Sequence, residues 1–254
     1  MPSVKQIFDT VESWAPLSLQ MGFDNSGFLL GHGERQVTRC LLALDSTLPV
    51  IREAEELGAE LIVSHHPLIF DPLRSLTEEG PGRKAMELAE KGIAAVCMHT
   101  NLDIAPGGVN DVLLRLLGAE PEEALDPEGC GRVGTLPEPV PLEDFLARCK
   151  ERLQTRGLRY VAGGRAVRRL AVMGGAGGDA LSCAVEKGCD TYVTSDVKYH
   201  VFLEAAEKGV NLIDADHFCT ENPVIPDLAR RLREVYPQVD FRVSQVHGQT
   251  ASFY

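Results

Sequence analysis

Leu61-Ile62-Val63-Ser64-His65-His66-Pro67 opens as an apolar run and closes on two adjacent imidazoles. Leu61, Ile62 and Val63 read as a short buried strand, and Pro67 forbids its regular continuation. The two histidines therefore fall where a strand gives way to a loop, the usual place for ligands in an α/β sheet. Adjacent residues do not easily aim both rings at one ion. They can each serve a different ion of a close pair.

Outward from this point, apolar runs alternate with amphipathic stretches. Upstream, Met1 to Leu19 carries Val4, Ile7, Phe8, Val11 and Trp14 at helical spacing, with Asp9 and Glu12 between them. That pattern is an amphipathic helix and not a secretory leader. Cys40–Leu44 reads as a strand and Leu48–Leu57 as a helix. Downstream, Arg83–Glu90 is a helix, Ile93–Met98 a strand, and Asn110–Leu117 a helix closed by Gly118. Ala119–Gly131, rich in Glu, Pro and Gly, reads as a linker. The second half then gives helices at Leu142–Gln154, Asp179–Glu186, Val201–Glu207 and Ile225–Val235. Its strands fall at Arg169–Met173, Thr191–Val193, Val210–Ile213 and Phe241–Val246. Such alternation predicts α/β layers with helices flanking mixed sheets.

The halves resemble each other. Leu57-Gly58-Ala59-Glu60-Leu61-Ile62-Val63-Ser64 lines up with Lys187-Gly188-Cys189-Asp190-Thr191-Tyr192-Val193-Thr194. Leu88-Ala89-Glu90-Lys91-Gly92-Ile93 lines up with Ala205-Ala206-Glu207-Lys208-Gly209-Val210. The change of offset places a longer loop in the first half, within Leu68–Gly82. A duplication puts His65-His66 opposite Ser195-Asp196 and His99-Thr100 opposite Asp216-His217, all after strands. We therefore expect two similar α/β domains, residues 1–125 and 126–254, with the C-terminal segment free to pack back on the first. A site at the interface of two such domains is a common arrangement.

The chain has 254 residues, enough for a sizeable core in one large or two modest domains. Its net charge of −12 argues against general binding to nucleic acid or an anionic membrane, because phosphate neutralisation supplies most of that affinity. Bound metal ions would still create local positive charge. The seven cysteines are odd in number and contain no C-x-x-C pair, which points to reduced thiols in a cytoplasm. No stretch approaches the ~20 apolar residues of a membrane span.

Five residues form a candidate metal cluster: His65, His66, Asp103, His217 and Glu221. His217 and Glu221 are four apart, so one helical turn puts them on one face. This mix of nitrogen and oxygen donors suits Zn, Mn, Fe, Co or Ni, and lacks the thiolates of a structural zinc site. His99 reads as a hydrogen-bonding partner, a proton shuttle or a structural residue. Asp196 either orients a ligand histidine or caps a helix, and His200 is placed to reach a substrate. Gly174-Gly175-Ala176-Gly177-Gly178-Asp179 fits a tight turn better than a phosphate loop, since it lacks the P-loop Lys and Ser/Thr. Phe23-Asp24-Asn25-Ser26-Gly27 reads as a polar turn that could shape a pocket. Cys219 reads as a buried filler.

Several of these runs together resemble a known family. Trp14-Ala15-Pro16-Leu17, Asp24-Asn25-Ser26-Gly27, Ser64-His65-His66-Pro67-Leu68 and His99-Thr100-Asn101-Leu102-Asp103 are similar to the GTP cyclohydrolase 1 type 2 homologues. So are Gly107-Gly108-Val109-Asn110-Asp111 and Ser195-Asp196-Val197-Lys198-Tyr199-His200. The group is also called the YbgI-like dinuclear metal-centre proteins. The resemblance runs essentially end to end. It implies a toroidal homohexamer of two-domain α/β subunits with a dinuclear site inside. It also implies that His65, His66, Asp103, His217 and Glu221 are the ligands of two divalent transition-metal ions. One departure is Asp216, where the family commonly has Gly; an acid there would tune His217 or add a ligand. The expected activity is metal-dependent hydrolysis of a nucleotide-like or other small polar substrate, with ions that acidify water and hold an oxyanion. His99 and His200 are the proton-transfer candidates, because neither is needed to complete the five donors. The rival reading is a non-catalytic metal-binding or adaptor protein. A nucleic-acid role is opposed by the net charge.

Overall fold

The computed structural model describes residues 1–80, 82–252 and 254. In chain order the elements are α1 (Val4–Trp14), β1 (Gly27–Leu30), β2 (Arg39–Ala43), α2 (Leu48–Leu57), β3 (Leu61–Ser64), α3 (Arg83–Lys91), β4 (Ala94–Cys97) and α4 (Thr100–Ile104). There follow α5 (Val109–Leu117), β5 (Glu123–Ala124), β6 (Arg132–Val140), α6 (Leu142–Arg152), β7 (Arg159–Val161), β8 (Val167–Val172), α7 (Leu181–Glu186) and β9 (Thr191–Thr194). The chain ends with α8 (Tyr199–Lys208), β10 (Asn211–Asp214), α9 (His217–Glu221), α10 (Val224–Val235) and β11 (Asp240–Val243).

Two compact units result. The first comprises Met1–Pro106 and Ile225–Gly248, the second Gly107–Val224 and Gln249–Tyr254. The first unit holds a sheet of order β1-β4-β3-β2-β11, in which β2, β3, β4 and β11 run parallel and β1 is an antiparallel edge. Both faces are covered, so β3 and β4 are buried at every position and carry no polar alternation. Leu41 and Ile62 from the sheet pack with Val50 and Ile51 of α2 and Leu88 of α3.

The second unit holds a sheet of order β5-β6-β8-β9-β10-β7. Here β8, β9 and β10 are parallel, and β6 and β7 are antiparallel to their neighbours. Leu170, Val193 and Ile213 pack with Leu113, Leu114 and Phe145.

The internal repeat extends to single hydrogen bonds. The β2–β3–β4 core with its antiparallel β1 edge is repeated by β8–β9–β10 with β7. Glu60 accepts from the backbone N–H groups of Thr38 and Arg39 at 3.0 and 2.9 Å. Asp190, its counterpart, accepts from those of Arg168 and Arg169 at 3.1 and 2.8 Å. Gly58 and Gly188, which turn the chain from helix into strand, have φ values of 67° and 68°. That left-handed conformation is open to glycine at no steric cost.

The observed elements differ from the sequence reading in instructive places. Ala119–Gly131 is not a linker: Glu123 and Ala124 pair with Val133 and Arg132, and the segment belongs to the second unit. Its polar composition reflects a short exposed edge. The strand β6 escaped notice because Pro137 and Pro139 interrupt it. They are tolerated where the register with β8 is broken between Thr135 and Val140. Strands β1 and β7 were not expected from the sequence. The expected last strand, Phe241–Val246, stops at Val243.

Candidate metal centre

His65 and His66 lie just beyond β3, and the backbone ladder carries on past the strand. His65 N–H donates to Ala43 O at 3.3 Å and His66 N–H to Leu44 O at 2.8 Å. Ser64 Oγ donates to the His66 carbonyl at 2.8 Å. Successive strand side chains would point to opposite faces. Leaving the strand here lets both rings lie on one side, with centroids 5.0 Å apart. His99, at the end of the next strand, brings its ring within 5.2 Å of His65 and 5.5 Å of His66. One donor nitrogen from each of the three lies within 4.8 Å of the others. Asp103 on α4 places Oδ1 3.6 Å from His65 Nε2.

The outer nitrogens of these rings are all committed. His65 is fully buried and its Nδ1 lies 2.8 Å from the Met98 carbonyl oxygen, which can only accept. The proton is therefore on Nδ1, so that Nε2 is the nitrogen left to face a ligand. His66 Nδ1 donates to Asp45 Oδ1 at 2.7 Å, and His99 Nδ1 to Asp24 Oδ1 at 2.7 Å. This is the carboxylate–histidine arrangement that fixes tautomer and ring orientation behind a metal ligand. Burial opposes ionisation of Asp24, but hydrogen bonds from His99, Thr100 and Ser26 outweigh it and hold the carboxyl below the usual range. Asp45 behaves alike: burial is outweighed by hydrogen bonds from His247 and His66.

In the second unit, α9 begins at His217. Asp216 is its N-cap, with φ of 73°, and accepts from Cys219 N–H at 3.1 Å. With ψ of 138° this positive-φ backbone is one that Gly ordinarily adopts, and Asp216 holds it at a steric cost. Asp216 thus caps the helix that carries His217. His217 Nε2 and Glu221 Oε2 are 3.1 Å apart on one face of the turn. His217 Nδ1 donates to Asp196 Oδ2 at 2.7 Å, so Asp196 orients the ring. The hydrogen bond to Glu221 raises the His217 pKa to about 9; burial works against this, and the charges of Glu221 and Asp196 reinforce it.

The glycine run after β8 serves this second cluster and is a tight turn, as expected. A side-chain carbon at Gly175 would fall 2.1 Å from Glu221 Oε1 and 3.2 Å from His217 Nε2. Gly175 also has φ of 67°, and its N–H donates to Thr220 Oγ1 at 3.0 Å. His200 stands on the exposed first turn of α8. Cys219 is buried, and burial pushes its thiol up to about 12, consistent with a filler. Cys97, behind His65, is likewise kept protonated by burial and then by the charges of Asp24 and Asp103.

Each unit thus gathers imidazole nitrogens and carboxylate oxygens with no thiolate among them. That donor chemistry fits borderline divalent ions such as Zn, Mn, Fe, Co or Ni. The sequence reading missed Asp45 and His247 and undervalued Asp24 and Gly175. Asp45 did carry a signal: it directly follows the apolar run Cys40–Leu44, the same strand-end position that singled out His65.

Known proteins resemble this chain over nearly its full length. A Clostridium perfringens protein called GTP cyclohydrolase 1 type 2 homolog is 35% identical, covering 95% of this chain and 96% of its own. The structure of a Bacillus cereus protein related to NIF3 superposes with a TM-score of 0.93 at 26% identity, covering 100% of this chain and 99% of that one. Reduced HcgD from Methanocaldococcus jannaschii superposes with a TM-score of 0.81 at 30% identity, covering 96% of this chain and 98% of that one. The family model described as Duf34/NIF3 (NGG1p interacting factor 3) matches residues 2–250, and the chain belongs to that family.

Proposed function

We propose that His65, His66, Asp103, His217 and Glu221 are ligands of two divalent transition-metal ions. We further propose that the protein is a hydrolase of a nucleotide-like or other small polar substrate. The observation that carries this reading is the locking of every cluster imidazole through Nδ1, which is the preparation a metal ligand needs. Two bound ions supply Lewis acidity and bring the pKa of water towards neutrality. The chain's own residues then bind and orient, and His99 and His200 move protons. The name carried by the Clostridium perfringens relative makes a nucleotide the first substrate to try. The same reading takes the assembly as a homohexameric ring in a cytoplasm. The loop Leu68–Gly82 offers exposed Phe70 and Leu76 as subunit contacts, while Leu73 is half-buried and Leu68 packs on the core. Pro81 of that loop lies outside the described residues.

Elemental analysis after reconstitution tests the centre: about two ions per chain are expected. Glu221→Gln should lose at least one, because an amide is a poorer donor than a carboxylate. Trace metal only, in the parent protein, would end the proposal. A metabolite screen on the metal-loaded protein tests the activity. Turnover should vanish in a His65→Ala, His66→Ala variant and persist in Cys219→Ala. The reverse pattern would identify a thiol enzyme. Light scattering should give a hexamer, and a stable monomer at micromolar concentration would refute the ring.

A further inference from the structure

His247 is an imidazole that the five-donor reading does not use. It lies beyond β11, near the end of the chain, yet its side chain is only 7% exposed. The segment that carries it is tied down residue by residue. Ser244 N–H donates to Leu42 O at 2.8 Å, extending the β11–β2 register. Ser244 Oγ donates to Glu53 of α2, and Gln245 N–H donates to the same carboxylate at 2.9 Å. These anchors deliver the His247 ring to the strand end where Asp45 stands.

The polarity of the contacts there is fixed. Leu44 N–H approaches His247 Nδ1 at 3.4 Å, and a backbone N–H can only donate, so Nδ1 accepts. The ring proton is then on Nε2, which donates to Asp45 Oδ2 at 3.2 Å. The other oxygen, Oδ1, takes the Nδ1 proton of His66 at 2.7 Å. Asp45 is thus held by one imidazole on each oxygen. Its side chain is 40% exposed, so with His66 alone it would be free to rotate and exchange partners with water. A second donor on the second oxygen fixes the plane of the carboxylate.

We infer that His247 is a positioning residue for the metal ligand His66, acting through Asp45 from the C-terminal segment. The chain is Leu44 N–H, His247, Asp45, His66, and then the ion. Its effect is to hold the His66 Nε2 lone pair in one direction. The inference rests on the metal-centre proposal and adds a partner that the sequence pattern does not mark.

The test is a cobalt(II) titration of the full chain in competition with a chromophoric chelator. The parent protein is compared with His247→Ala, Asp45→Ala and the double variant. Outer partners of ligand histidines typically contribute 10–100-fold to metal affinity. His247→Ala is expected to weaken one of the bound ions by about tenfold, near the lower end of that range. Asp45→Ala should weaken the same ion further, and adding His247→Ala to it should change nothing more. Such non-additivity is the signature of residues acting in one chain. His247→Gln, which retains an N–H donor, should recover part of the affinity and enters the same cycle if the alanine variant does not fold. Unchanged cobalt affinity in His247→Ala, or full additivity with Asp45→Ala, would overturn the inference while leaving the metal centre intact. A parent protein that binds no cobalt would overturn both.

Discussion

Gly58 and Gly175 share a φ of 67°, but their surroundings differ. A side-chain carbon at Gly58 would meet nothing within 4 Å, while one at Gly175 would drive into Glu221. Glu221 is almost fully buried and paired with His217, so it has little freedom to step aside. Gly58→Ala should therefore incur only the left-handed backbone penalty, about 1–2 kcal/mol. Gly175→Ala should show a larger loss in the metal-free denaturant melt, with about 1–3 kcal/mol of overpacking against Glu221 added to the backbone penalty, and in addition about a tenfold or greater loss of metal affinity. Equal metal affinity in the two variants would show that the Gly175 turn does not set the position of Glu221. The five candidate donors could be picked out in the sequence because each sits after a strand or on one turn of a helix. Asp24 and His247 could not, since their roles depend on partners 75 and 202 residues away.

At the scale of elements, the repeat explains which parts of the sequence could be read. The β3 and β9 strands, the helices before them and the glycines between them recur in one register, so each half supports the reading of the other. Where the halves diverge, β6 went unread. β11 is parallel to β2, while β6, in the matching place beside β8, is antiparallel and broken by prolines. No periodicity in Arg132–Val140 announces a strand that is regular only over its first few residues. The recurrence has an energetic consequence. Gly188, like Gly58, has open space around a would-be side-chain carbon. Gly58→Ala and Gly188→Ala should thus each cost about 1–2 kcal/mol, the same within error, in chemical denaturation. A large inequality would mean that the two helix-to-strand turns are alike in shape but not in strain.

At the scale of the whole molecule, the chain does not divide at one point. Residues 225–248 belong with residues 1–106, and the bonds that hold them there are specific. β11 pairs in parallel with β2, and Arg39 Nε donates to Asp240 Oδ2 at 2.7 Å. The Arg231 guanidinium stacks 4.1 Å from the Trp14 ring centre, and Thr10 Oγ1 lies 2.7 Å from the Tyr236 hydroxyl. The segment also carries Ile225, Leu228, Leu232 and Phe241, all buried. Each such side chain contributes about 1.5–3 kcal/mol by burial. Four together approach the whole net stability of a domain, about 5–15 kcal/mol. A fragment of residues 1–125 would keep β2 as an uncovered edge and lose this contribution, so it should show no cooperative thermal transition by circular dichroism. Residues 1–106 joined to 225–248 through a flexible Gly/Ser linker should recover one. Equally cooperative melting of the two would show that the C-terminal helix and strand decorate the first unit without completing it.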